Sequence, residues 1–190
     1  IELAAANIMT GKTMNAGQLC AAPDYCFVPE SLLEATIPAF RENAATMFPT
    51  LLNNPDWVSV INSRHFDRIS SLIDDAKEKS DRIVELNPSN DKWREQSGKI
   101  PLHLIINPSD DSKVMQEEIF GPVLAIKTYR DFEEVIRFIN KQAKPLAMYY
   151  FGTNKYECND LLARTSAGGV TINDVAMHVS CEDLPFGGIG

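Results

Sequence analysis

The sequence predicts an α/β fold, a three-layer domain with a largely parallel sheet covered by helices. Three observations carry that expectation. Short apolar or β-branched runs alternate with helical patterns of about 10 to 15 residues along most of the chain, the order that builds βαβ units. Two of the runs, at Val123–Tyr129 and Leu146–Phe151, are nearly all apolar, as strands covered on both faces are. The composition, 44% hydrophobic and 23% charged over 190 residues, suits one domain with a substantial core.

In chain order, Ile1 to about Lys12 carries apolar residues on a helical period, and Gly11 near its end is compatible with a stop. Gly11-Lys12-Thr13 looks like the tail of a phosphate-binding loop, but Ala6 stands where that motif wants glycine, so the phosphate-loop reading fails. Tyr25 to Pro29 reads as a strand. Ser31, with Glu34 three residues on, offers a capping box for a helix running to about Phe48, which Pro38 is expected to interrupt or kink. Asn53 to Asp56 is turn chemistry. Arg64 to Lys79 places Phe66, Ile69, Leu72 and Ile73 on one face, the pattern of an amphipathic helix. A strand over Arg82–Leu86 precedes a polar, exposed loop from Asn87 to Lys99. Leu102–Asn107 is a strand closed by Pro108, and a polar stretch follows at Asp110–Val114. After the strand at Val123–Tyr129, Asp131 caps a helix to about Lys141 whose inward stripe is Val135, Ile136 and Ile139. Asn154 caps a helix from the strand at Leu146–Phe151 to about Arg164, and Gly168-Gly169 opens a last strand through Asn173.

The bulk properties exclude several functions. A net charge of −8 and a pI near 4.9, with scattered basic residues, argue against nucleic-acid binding. No apolar run approaches the roughly 18 residues of a membrane-spanning helix. The four cysteines, Cys20, Cys26, Cys158 and Cys181, lack framework spacing and read as reduced thiols in a cytoplasmic compartment. His178 near Cys181 is the one pair that hints at zinc, without a structural-zinc spacing around it, so no metal is expected.

The stretch Asn15-Ala16-Gly17-Gln18-Leu19-Cys20 sits at a junction between a helical pattern and a strand pattern, where a side chain can be aimed into a cleft. Cys20 is there either a nucleophile or a small buried hydrophobe. Asn15 either holds this loop or serves as an ordinary turn residue. Glu117-Glu118 taken alone is a solvated acidic pair. His65 reads as an exposed or capping residue and His103 as a structural one.

Met14-Asn15-Ala16-Gly17-Gln18-Leu19-Cys20 with Ala22-Pro23-Asp24-Tyr25 resembles the active-site segment of the aldehyde dehydrogenase superfamily. Glu117-Glu118-Ile119-Phe120-Gly121-Pro122-Val123 is similar to its cofactor-contacting segment, and Leu184-Pro185-Phe186-Gly187-Gly188-Ile189-Gly190 to its C-terminal glycine-rich one. Three matches in the same order are far more specific than one. The Ala-Pro-Asp-Tyr run and Asn173–His178 most resemble the class 3-like branch, which includes the coniferyl aldehyde dehydrogenases.

The resemblance implies the aldehyde dehydrogenase catalytic-domain fold, an aldehyde substrate and NAD or NADP as cofactor. It makes Cys20 the catalytic nucleophile, puts Glu118 at the nicotinamide ribose, and packs Phe120 against the ribose or ring. His178 falls in a family-like loop after the last strand, a place for a residue that lines the substrate pocket. The family's general-base Glu and oxyanion Asn have no counterpart here, and Glu2 does not match the former. Residues 1–190 are therefore expected to be one nucleophile-bearing domain, cut at both ends, without its NAD(P)-binding domain and inactive alone, from an enzyme that forms homo-oligomers. Two alternatives remain: a cysteine hydrolase pairing Cys20 with His65, His103 or His178, and a non-catalytic module with a structural cysteine.

Overall fold

The computed structural model describes residues 1–95 and 98–190, so the part of the expected 87–99 loop at Gln96 and Ser97 lies outside the described residues. The chain folds into two compact units, residues 1–128 and 129–190.

The first unit is built on a four-stranded sheet of order β1-β4-β3-β2, with β1 at Tyr25–Pro29, β2 at Arg82–Leu86, β3 at Leu102–Ile106 and β4 at Val123–Tyr129. β3 and β4 run parallel in the register Leu104 to Leu124, whereas β2 and β3 run antiparallel with Glu85 opposite His103. β2 departs from the parallel pattern because the polar stretch after it forms no crossover helix and simply returns the chain. All five residues of β3 are buried. Successive strand side chains point to opposite faces, so both faces of the sheet's centre are covered, as a three-layer fold requires.

Among the described residues four helices serve this unit: α1 (Glu2–Thr13), α2 (Leu33–Met47), α3 (Ser63–Lys79) and the short α4 (Lys113–Gln116). α1 lies along α2, and α3 packs on β2 and β3. Asn62 caps α3 by accepting from the His65 backbone N–H at 3.0 Å, and Ile69, Leu72 and Ile73 are completely buried along its inner face. Each such side chain stabilises the fold by about 1.5–3 kcal/mol.

Three expectations for this unit need correction. The capping box at Ser31 does not form, because Glu30–Leu32 makes a 3₁₀ turn and α2 starts behind Leu32, which offers no side-chain cap. Pro38 does not interrupt α2, which runs on through it to Met47. The 87–99 stretch is not wholly exposed: it carries a 3₁₀ turn at Trp93–Glu95, and Trp93 is 4% accessible. Its indole N–H donates to Glu85 at 3.1 Å and its ring edge meets His103, which explains the burial.

The second unit contains α5 (Phe132–Lys141), β5 (Ala147–Tyr150), α6 (Lys155–Arg164) and β6 (Gly169–Ile172), with β5 and β6 parallel. Asp131 accepts from Glu133 N–H at 3.1 Å, and Asn154 from the N–H groups of Tyr156 and Glu157, so both expected caps are made. The core here is Ile136, Met148, Tyr150, Cys158 and Leu161, flanked by Phe132, Ile139 and Val170. A 3₁₀ turn at Met177–Ser180, absent from the sequence pattern, follows β6.

Candidate functional site

Helix α1 ends at Thr13, and the chain then enters a left-handed turn. Asn15, Ala16 and Gly17 have φ of 50°, 54° and 73°. For the two residues that carry a Cβ this conformation costs about 1–2 kcal/mol each, so it persists because its surroundings hold it. The Gln18 backbone N–H closes the turn onto Asn15 O at 3.1 Å, and Asn15 Nδ2 donates to Gln18 O at 3.2 Å. Asn15 thus both occupies and fastens the turn. Ala16 and Gly17 are buried, whereas Cys20, beyond them in the bend from Leu19 to Ala22, is exposed.

The second segment meets the first at Gly17. A Cβ there would lie 2.4 Å from the carbonyl oxygen of Gly121, so the backbones touch where no side chain fits. A second link is polar. Lys12, on the buried face of α1 and wholly inaccessible, donates to Asp24 Oδ1 at 3.2 Å, while Asp24 Oδ2 accepts from the Ile119 N–H at 3.0 Å. Burial lowers the pKa of the Lys12 ammonium, and the carboxylates of Asp24 and Glu118 oppose that shift. One ion pair therefore joins the end of α1, the strand entry after Cys20 and the peptide following Glu118.

Arg68, from α3, completes the frame by donating to the carbonyls of Glu118, at 3.2 Å, and Ile119. With its backbone pinned, Glu118 leaves its carboxylate exposed, and Phe120, at φ 46°, holds its ring at the surface with 38% accessibility. An exposed carboxylate on a fixed backbone suits a vicinal diol, to which it can offer both oxygens. Glu118 and Phe120 thus lie exposed on one pinned segment.

The other singled-out residues are engaged elsewhere. Nδ1 of buried His103 donates to Pro101 O at 2.8 Å, and Nε2 faces Glu85 at 3.3 Å. His178 N–H donates to Thr171 Oγ1 at 3.1 Å, and Nδ1 of the same residue shares a hydrogen bond with that hydroxyl at 2.8 Å. Burial lowers the pKa of His178. Within the first unit neither His65 nor His103 is hydrogen-bonded to Cys20, as a cysteine hydrolase would want, and among the described residues no group of three or more His, Cys, Asp or Glu could hold a metal.

A family model described as the aldehyde dehydrogenase family matches residues 1–190. The chain belongs to the aldehyde dehydrogenase family. It is 48% identical over 188 residues to a probable coniferyl aldehyde dehydrogenase of Caulobacter vibrioides, covering 98% of this chain and 39% of the relative. Among solved structures, the substrate-bound state of Staphylococcus aureus AldH superposes with a TM-score of 0.89 at 36% identity, over 100% of this chain and 40% of that one. An NADP-dependent glyceraldehyde-3-phosphate dehydrogenase of Bacillus halodurans, complexed with NADP, gives 0.83 at 26% identity, over 100% and 40%. The chain thus spans about two fifths of the length of the relatives it matches.

Within this aldehyde dehydrogenase frame, reading the sequence missed Lys12, Asp24, Arg68 and Gln18 as the residues that hold the site together. One signal for Lys12 was available: it continues the spacing of Ala5, Ile8 and Met9, which places a cation on the buried face of α1. No described helix is long and apolar enough to cross a membrane.

Proposed function

We propose that this chain is the nucleophile-bearing domain of an NAD(P)-dependent aldehyde dehydrogenase that oxidises an aldehyde to the carboxylic acid through covalent intermediates on Cys20. The observation that carries this reading is an exposed thiol on a turn locked, through Gly17 and the Lys12–Asp24–Ile119 link, to the segment bearing Glu118 and Phe120.

The Cys20 thiolate adds to the aldehyde carbon, forming a C–S bond and moving the carbonyl π pair onto oxygen. The Cys20 backbone N–H is one donor to that oxyanion, and an Asn outside these residues supplies another. When a nicotinamide cofactor is bound, Glu118 would accept hydrogen bonds from its ribose hydroxyls and Phe120 would pack beside the ribose or ring. A nicotinamide cofactor, when bound, accepts the hydride that the thiohemiacetal carbon gives up. Cys20 is then left as a thioester. Water adds to it with the help of a Glu outside these residues, the C–S bond breaks, the acid departs and the thiol is restored.

The proposed substrate is coniferyl aldehyde or a close aromatic relative, on the likeness to the Caulobacter protein, with NAD or NADP as cofactor. The complete protein is taken to be a cytoplasmic homo-oligomer, and residues 1–190 alone to give no steady turnover. Coniferyl aldehyde supplied to the complete protein with NAD or NADP should yield reduced cofactor and the acid. Absence of both products across a panel of aldehydes would sink the reading.

A further inference from the structure

Gln18 is a side-chain amide tied on three sides behind Cys20. It is 9% accessible. Its Nε2 donates to Asn15 O at 2.9 Å and to Ser59 O at 3.3 Å, and its Oε1 accepts from the Ile61 N–H at 2.8 Å. One end of this clamp closes the left-handed turn. The other end grips a segment that is itself fixed. Val60 N–H donates to Gly98 O at 2.9 Å, Trp57 Nε1–H to Ile100 O at 3.1 Å, and the Lys99 ammonium to Asn54 O at 2.7 Å, while Asp91 accepts from the N–H groups of Leu51 and Leu52. The stretch from Leu51 to Ile61 is therefore a braced post, and Gln18 is the tie from that post to the nucleophile's turn.

We infer that Gln18 is a positioning residue for the proposed reaction: its amide keeps Asn15–Gly17 closed in the left-handed form and fixed to residues 59–61, so that Cys20 meets the carbonyl carbon at a constant angle. The inference rests on the nucleophile reading of Cys20. The chemistry of the partners explains why an amide stands here. Two carbonyls need a donor and one N–H needs an acceptor, which a glutamine end group supplies together. Glutamate would aim oxygens at two carbonyls, and methionine would fill the volume and bond to nothing.

The test uses the complete protein, with coniferyl aldehyde and NAD or NADP, and compares Gln18→Met with Cys20→Ala. Gln18→Met should lower kcat roughly 10–100-fold, the scale of a displacement of about 1 Å at a reacting group, with KM moved by less than about threefold. The pH profile should be unchanged, since Gln18 does not titrate. Adding Ala16→Gly should restore part of kcat, because glycine enters the left-handed region without being held there. A Gln18→Met kcat within about twofold of the parent, beside an inactive Cys20→Ala, would overturn the inference and leave the proposed function standing. An active Cys20→Ala would overturn both. If Gln18→Met does not fold, the Ala16→Gly/Gln18→Met pair is compared with Ala16→Gly alone: a kcat at least about threefold lower is expected, and equality overturns the inference.

Discussion

Cys20 and Cys26 stand six residues apart and could hardly be placed more differently. Cys20 sits at the tip of a bend whose base is buried and whose backbone is strained, and it is exposed. Cys26 lies in β1, where burial pushes its thiol up to about 12. The residue type is the same, so what separates a proposed nucleophile from a structural thiol is the local chain path. The strand holds Cys26 half-buried among its neighbours, whereas the bend that follows the left-handed turn leaves Cys20 exposed.

The sharpest way to break this contrast is mutational. In the complete protein Cys20→Ala should reduce aldehyde oxidation by about 1,000-fold or more, while Cys26→Ala should stay within about twofold, as steady-state rates would show. Alkylation followed by peptide mass spectrometry sharpens it next. Burial keeps the Cys26 thiol protonated at pH 8 while Cys20 is exposed, so iodoacetamide should mark Cys20 well before Cys26, and equal labelling would refute the difference in placement.

Asp24→Ala attacks the frame instead of either thiol. It leaves the Lys12 cation buried without its partner and should cost about 3–5 kcal/mol, read by denaturant unfolding. The smallest effect belongs to the distant β2–β3 edge. Glu85, hydrogen-bonded by His103 first, then by Asn87 and Trp93, is held down at about 2 from 4.5. Its folded pKa is depressed, so its contribution is present above pH 4.5 and is lost as pH falls through about 2. Glu85→Gln should cost about 1 kcal/mol at neutral pH, after the screening of a part-exposed carboxylate is allowed for, and should leave the labelling ratio of the two cysteines unmoved.

Much of the fold was legible because its determinants are local. The strands at Tyr25–Pro29 and Val123–Tyr129, the Asp131 and Asn154 caps and the stripe of α3 are each written within one turn or one strand of sequence. Ser31 shows how such a local rule loses: the 3₁₀ turn at Glu30–Leu32 takes the residues that the capping box would need. The site was legible as three separate strings, yet what joins them was not. Lys12 to Asp24, Asp24 to Ile119, Arg68 to Glu118 and Gln18 to Ser59 are meetings of residues far apart in sequence, which no period or spacing encodes. Ala16 was opaque for a further reason, since its type opposes the conformation it adopts.

The seam between Gly17 and Gly121 has one more consequence. With 2.4 Å between the position of a Cβ and a peptide oxygen, the clearance is set by hydrogen atoms alone. Gly121 has no slack of its own, because a Cβ there would come within 2.5 Å of Ile69 Cδ1. A single methyl at Gly17 would act as a wedge, prising the sulfur-bearing bend away from its acidic neighbour, whereas one at Gly121 would press on the Ile69 side chain of α3. The turn before Cys20 and the segment after Glu118 therefore keep their approach only while residue 17 carries no side chain, however many residues of chain lie between them.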